Sequence, residues 1–291
     1  MGWLPDYPDI RDYTFRNKEL LKKKEIGSLI SPLKLEKADK ALLPSMVDLR
    51  RWCSPVEDQG EIGSCTANAG VGIVEYYEKR AFGKHIEASR LFLYKATRNL
   101  AEIRGDGGAF IRSTMGALVL FGVPPEKYWP YTDSSPEFDK EPTAFCYSFA
   151  ENYKSIKYFR HDATEPALEA TLDGVKKSLT AGVPSMFGFT VYNSIEQAAK
   201  TGKIPFPCDS ERVLGGHAIV AVGYDDKMKI KNADCDITTQ GALLIRNSWG
   251  TGWGDEGYGW LPYEYVKREV AIDFWSMLQQ KWVDTGQFTI E

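Results

Sequence analysis

His85, His161 and His217 are the only histidines in this 291-residue chain, so any reaction that moves a proton through imidazole must use one of them. His85 (in AFGKHIEAS) and His161 (in FRHDATEP) sit in polar stretches that read as exposed and incidental. His217 follows Gly215 and Gly216 and opens the apolar run AIVAVGY, which packs the backbone while leaving the ring free to face a cleft. Cys65 stands where the turn from Gln59 to Ser64 enters a helical pattern. The open N–H groups and dipole of such a first turn lower a thiol's pKa. A neighbouring imidazolium would lower it further and give a thiolate–imidazolium pair able to attack a carbonyl. Gln59 offers a side-chain amide that, with the Cys65 backbone N–H, could hold an oxyanion, a contact worth about 3–4 kcal/mol. Asn247, after the apolar ALLIR, would accept the second ring proton of His217 and fix its tautomer. Trp249 would shield that hydrogen bond from water.

The elements that must position these groups change in kind along the chain. Helical spacing of Val71, Val74 and Tyr77, with Ser64 as N-cap and Gly83 as stop, predicts a helix over 64–83. Further helices are expected at 88–99, 110–121 and 165–180, and the proline- and aromatic-rich 124–138 reads as loop. Strands are expected at 155–160, 183–191, 217–226, 242–250 and 257–266, between Gly and Asp turns. This is an α+β arrangement of two lobes, helical over about 50–150 and β over about 151–275, with the site in the cleft between them. Residues 1–43 differ: the charged run 16–25 predicts one short exposed helix on an extension wrapped over the surface of a domain spanning 44–291.

Composition narrows the classes. With 43% hydrophobic and 13% aromatic residues, the chain can bury a sizeable core. A net charge of −4 gives no basic field for nucleic acid. The start, MGWLPDYPDI, lacks the basic and apolar regions of a secretory signal, and Asp6 breaks a myristoylation pattern. No run approaches a membrane-spanning length, so no membrane partner is expected. The five cysteines form no CxxC pair, and neither metal nor cofactor is expected. Most read as isolated buried thiols, with pairing among Cys53, Cys146, Cys208 and Cys235 left open. Residues 252–257 spell GxGxxG, but strand-like YGWLPYEYV follows where a dinucleotide site needs a helix.

In order, the chain contains Val47-Asp48-Leu49-Arg50, Gln59-Gly60, Gly63-Ser64-Cys65, Gly105-Asp106-Gly107-Gly108, Gly216-His217-Ala218 and Asn247-Ser248-Trp249-Gly250-Thr251-Gly252-Trp253-Gly254. Cys65 precedes His217 by 152 residues and Asn247 by 182. Over about residues 44–275 this resembles the papain-like cysteine peptidases, in a bacterial branch. The resemblance implies a helical left lobe, an antiparallel β-barrel-like right lobe, and endopeptidase action on peptide or protein substrates. Cys65, His217, Asn247 and Gln59 would be the catalytic groups. It also implies that Gly107 and Gly108 pair with an extended substrate backbone. Phe110, Ile111, Met186 and Ala218 would line an apolar pocket for the second residue before the cut, or else belong to the core. Trp249 completes the substrate-binding set.

The chain departs from the family pattern in three places. Ile62 and Gly105 stand where the family has a bridged cysteine pair, which weakens the case for an oxidising home. Thr66 replaces the tryptophan after the nucleophile. The extension is too short and too weakly helical to match the usual pro-segment, and is expected either to strap the cleft and gate it or to tie the lobes. Two other functions fit some of these residues: Cys–His acyl transfer without peptide hydrolysis, as in amidases, and a silent binding module on the same fold. Retention of Gln59, Cys65, His217 and Asn247 together favours the peptidase.

Overall fold

The computed structural model describes residues 1–9, 12–14, 43–153, 156–162 and 168–279, so the charged run expected as a short helix lies outside the described residues. The N-terminal half is built round α1 (Cys65–Phe82), which is buried along most of its length rather than on one stripe. Such a helix must be enclosed on all sides. On one side Gly70 lets Leu93 of α2 (Arg90–Leu100) and Thr114 and Leu118 of α3 (Ile111–Leu120) approach the helix backbone. On another, Gly72 makes room for the Arg246 guanidinium. Gly83 ends the helix at φ 72°, its N–H bonded to the Lys79 carbonyl at 2.9 Å, where a side chain would strain the backbone. Ser89 caps α2 by accepting from the Phe92 N–H. A further helix, α4 (Ala144–Ala150), capped by Thr143, follows the proline-rich stretch and was not expected from sequence.

The C-terminal half is one antiparallel sheet. Its path runs β4 (Ile156–Arg160), β9 (Ala271–Gln279), β5 (Ser185–Tyr192), β6 (Val213–Lys231), β7 (Thr238–Arg246) and β8 (Tyr258–Pro262), with β2 (Met46–Asp48) also on β6. The outer strands β4 and β8 do not pair among the described residues, so the sheet is open, where the sequence led us to expect a barrel-like lobe. The expected helix at 165–180 is α5 (Leu168–Thr180). The strand expected through 266 stops at Pro262, which has no N–H for the ladder, and α6 (Tyr263–Lys267) follows. β9 escaped the sequence reading because AIDFWSMLQ is nearly continuous in apolar residues, which periodicity does not separate from a buried helix.

One further expectation is corrected, and the cysteine pairing left open by the sequence is given by the structure. His161 is buried rather than exposed, with Nε2 within 2.9 Å of Ser276 Oγ and 3.1 Å of Ser185 Oγ. Cys208 and Cys235 are joined in a disulfide, while Cys53, Cys65 and Cys146 are free and buried.

The halves are stitched by groups near the site. Arg246 of β7 donates to Ser54 Oγ at 3.1 Å and to the Pro55 carbonyl, and the Leu49 N–H donates to the Val222 carbonyl. Beside that contact, a Cβ on Gly223 would run into the Val47 carbonyl where β2 pairs with β6. Gly223→Ala is therefore expected to destabilise the protein by about 1–3 kcal/mol, as overpacking does, read as a lower urea midpoint at unchanged slope.

Candidate active site

The site is assembled from the first turn of α1, the start of β6 and the loop after β7. Ser64 occupies the N-cap position of α1, yet its hydroxyl meets Tyr131 Oη at 2.6 Å instead of capping the helix. The same Tyr131 hydroxyl donates to the Gln59 carbonyl at 2.7 Å, and the Arg90 guanidinium lies 4.0 Å over the Tyr131 ring. The turn that carries Gln59 to Cys65 is thus clamped from outside. Gln59 donates through Nε2 to the Ile62 carbonyl and accepts through Oε1 from Ser248 Oγ at 2.6 Å. This ties the loop holding Asn247 to the loop holding the cysteine.

His217 is fully buried. Its Nε2 lies 2.8 Å from Asn247 Oδ1, and that oxygen also accepts the Ser248 N–H at 2.8 Å. An oxygen facing two nitrogens fixes the roles: Nε2 must carry the proton, which leaves Nδ1 of the neutral ring as an acceptor. Nδ1 is buried without a hydrogen-bond partner among the described residues. Trp249 stacks on the imidazole at 4.6 Å and 22°, and Phe189 meets it edge-on, so the ring is held on both sides. The next residue, Ala218, donates its N–H to Cys65 Sγ at 3.4 Å, so the thiol lies beside the histidine.

Residues 1–4 occupy the cleft. β1 (Trp3–Leu4) pairs in parallel with β3 (Ala109–Phe110), and the Ala109 N–H donates to the Gly2 carbonyl at 2.7 Å. Gly2 lies so close that a Cβ on it would run into the Gly63 carbonyl. Its N–H is directed at Cys65 Sγ, as is that of Ala218. The Trp3 indole fills the space over Gly188 and Gly216, and its Nε1 donates to Asp273 Oδ2 at 3.2 Å. Farther along, Arg112 of α3 pairs with Asp6 and Asp12 and donates to the Tyr7 carbonyl. Arg160 of β4 reaches the Asp6 carbonyl, Asp12, Asp162 and Asp273.

Burial sets the electrostatics of the pair. Burial pushes the Cys65 thiol up, against the downward pull of the Ala218 and Gly2 N–H groups. Burial also drives His217 down to about 4, opposed in part by its bond to Asn247. Both shifts favour the neutral pair over the expected thiolate and imidazolium in this closed arrangement.

Of the expected substrate-binding positions, Gly108 (φ 76°) lies against the Gly2 carbonyl, and Phe110 is the register partner of Leu4. Gly107 is exposed, while Ile111, Met186 and Ala218 are fully buried. Among the residues that Trp3 meets are Gly188, Gly216 and Asp273. Gly188 and Asp273 were not foreseen, although an acid inside the apolar run of β9 was a signal, since a buried carboxylate needs partners. The GxGxxG stretch forms a loop ahead of β8, with Gly254 and Gly257 at positive φ, and opens no helix.

Residues 43–273 match the family model described as papain family cysteine protease. The chain belongs to that family and is a cysteine peptidase, a hydrolase. Xylellain, a cysteine protease from Xylella fastidiosa, superposes with a TM-score of 0.74 at 34% identity, over 96% of this chain and 95% of its own; the expected bacterial branch fits that likeness. An uncharacterized peptidase C1-like protein of Acanthamoeba polyphaga mimivirus is 33% identical over 287 residues, 94% of this chain and 85% of that protein. Cathepsin K of Gallus gallus is 30% identical over 221 residues, 74% of this chain and 58% of its own length.

If residues 1–4 are what buries the thiol, iodoacetamide should label Cys65 slowly at pH 7 in the intact chain. Gly2→Val is then expected to speed labelling by about tenfold or more, as a one-unit fall in thiol pKa would. Mass mapping separates Cys65 from Cys53 and Cys146, and equal rates would sink the explanation.

Proposed function

We propose that this chain is an endopeptidase in which Cys65 is the nucleophile and His217 its base, with residues 1–4 closing the cleft until they are displaced. The observation that carries the reading is the lock of His217 Nε2 on Asn247, with Cys65 Sγ against the neighbouring Ala218 N–H. With Nε2 committed as donor, Nδ1 is the atom free to take the thiol proton. The thiolate then attacks the peptide carbonyl carbon, and the oxyanion is held by the Gln59 side-chain amide and the Cys65 backbone N–H. The imidazolium returns the proton to the departing amine, leaving an acyl-enzyme. Water, deprotonated by His217, then releases the acid and restores the thiol.

The N-terminal segment lies where it would block access to the thiol, with the Gly2 N–H towards the sulfur. The strand it adds to β3 is the place for an extended substrate. The rival reading of this segment, a tie between the lobes, is supported by the Arg112 and Arg160 anchors, but these do not require Gly2 and Trp3 to enter the cleft.

A fluorogenic peptide amide, under reducing conditions at mildly acidic pH, tests the reading. Trp3→Ala is expected to cleave it several-fold faster than the intact chain, and adding Cys65→Ala should abolish cleavage. Gln59→Ala should lower kcat by about 10²–10³, as loss of an oxyanion donor does. A lower melting temperature in Trp3→Ala with an unchanged rate would favour the tie. Acyl transfer to an added amine without hydrolysis would favour the acyltransferase reading, and peptide binding without any turnover the silent module.

A further inference from the structure

The turn that launches α1 is held from outside by the stretch 124–138, which the proposed chemistry does not use. Tyr131 in that stretch has a single hydroxyl proton, and its neighbours decide where the proton goes. The Gln59 carbonyl, 2.7 Å away, can only accept. Ser64 Oγ, at 2.6 Å, must therefore donate to Tyr131 Oη. That leaves Ser64 Oγ to accept from Asn68 Nδ2 at 3.0 Å, and Asn68 Oδ1 to accept from Arg90 at 3.4 Å. A directed chain of hydrogen bonds thus runs from Arg90 through Asn68, Ser64 and Tyr131 to the backbone of Gln59. The Arg90 guanidinium also lies 4.0 Å over the Tyr131 ring and donates to the Asp58 carbonyl at 3.1 Å. Glu57 and Glu126 hold it there.

Two features tie this chain of contacts to the oxyanion site rather than to the fold in general. Ser64 stands at the N-cap of α1, yet its hydroxyl is spent on Tyr131 and the helix is left uncapped by it. A local rule broken in this way marks a site with another task. The contacts also reach both oxyanion donors. Asn68 donates through its backbone N–H and through Nδ2 to the Ser64 carbonyl, each at 3.0 Å. That carbonyl shares a planar peptide with the Cys65 N–H, so fixing the direction of one fixes the other. The Gln59 amide has Nε2 on the Ile62 carbonyl and Oε1 on Ser248, which leaves one N–H for an oxyanion. Tyr131 holds the backbone from which that side chain extends. Such donors are effective when their direction is set before the charge develops.

We propose that Tyr131, backed by Arg90, is a positioning residue that sets the Gln59 and Cys65 donors for the oxyanion. This rests on the peptidase reading and deepens it, adding two residues that act through the turn and not on the substrate.

Removing Arg90 would leave Glu57 and Glu126 without that partner and threaten the fold. The test therefore deletes only a hydroxyl, with Tyr131→Phe in the full chain carrying Trp3→Ala. On a fluorogenic peptide amide, kcat should fall about tenfold with KM changed by no more than about twofold, as a misdirected donor requires. A double-mutant cycle with Gln59→Ala separates positioning from general loosening: the loss should shrink to about threefold or less once Gln59→Ala is present. An undiminished loss, or none in either background, would overturn the proposal and leave the peptidase reading standing. Iodoacetamide alkylates Cys65 by displacing iodide and forms no oxyanion, so Tyr131→Phe should not change the labelling rate. Slowing to the same extent as kcat would place the effect on the thiol and equally overturn the proposal. If no peptide is hydrolysed, a peptide aldehyde reads the site without turnover, since the Cys65 S–H adds across its C=O and places the oxygen at the donors. Its Kd should rise about tenfold in Tyr131→Phe, as the same loss of alignment predicts. An equal Kd, or no adduct with either chain, would overturn the proposal.

Discussion

The hydrogen bond from His217 Nε2 to Asn247 Oδ1 is the constraint on which the rest of the site depends. It works only because Asn247 Oδ1 is itself pinned by the Ser248 N–H, and because Ser248 is tied in turn to Gln59. One chain of contacts thus runs from the imidazole through the loop after β7 to the turn that launches α1. A side chain that must act as a base needs a fixed tautomer more than it needs a fixed charge. The stacked Trp249 keeps that bond out of water, where a lower local dielectric strengthens it.

On the proposed reading, closing the cleft would switch the chemistry off by solvation as well as by sterics. Both members of a thiolate–imidazolium pair need water or counter-dipoles to be charged, and burial removes the water. The thiol is pushed up and His217 down to about 4, so the neutral pair is favoured while Gly2 and Trp3 remain in place. The first turn of α1 and the nearby N–H groups act against this, but they are few. On that reading a segment of four residues would silence the nucleophile without contacting every group of the site.

The candidate constellation that the structure brings together could be picked out in the sequence because each group is marked locally. Cys65 has a turn and a helix start, His217 two glycines and an apolar strand, Asn247 the end of another. Helices α1, α2 and α3 were legible for the same reason, since apolar residues at helical spacing and stops such as Gly83 are local signals. What could not be read depended on contacts distant in sequence. Trp3 and Asp273 meet across 270 residues, and neither position alone indicates the other. β9 hid in an unbroken apolar run, and α4 in a stretch dominated by proline and aromatics. His161 looked polar because its neighbours are, yet its partners Ser185 and Ser276 come from β5 and β9.

The buried groups also bear on whether acid alone could open the cleft. The closed state holds His217 neutral with a pKa of about 4, below the ordinary imidazole value of about 6.5. That favours closure above about pH 6.5, and the contribution is lost as pH falls towards 4. Asp273 is pushed up to about 7 by burial, a rise resisted by Arg160 and by the Trp3 indole N–H. The segment thus acts on this carboxyl in two opposed ways, covering it and donating to it, and proton concentration alone is a weak lever on the closed state. The contacts that hold the segment on charge alone, Asp6 and Asp12 with Arg112 and Arg160, lie outside that balance. Displacement by a competing peptide strand on β3, which would replace the same backbone and pocket contacts, is therefore the more economical route to an open cleft.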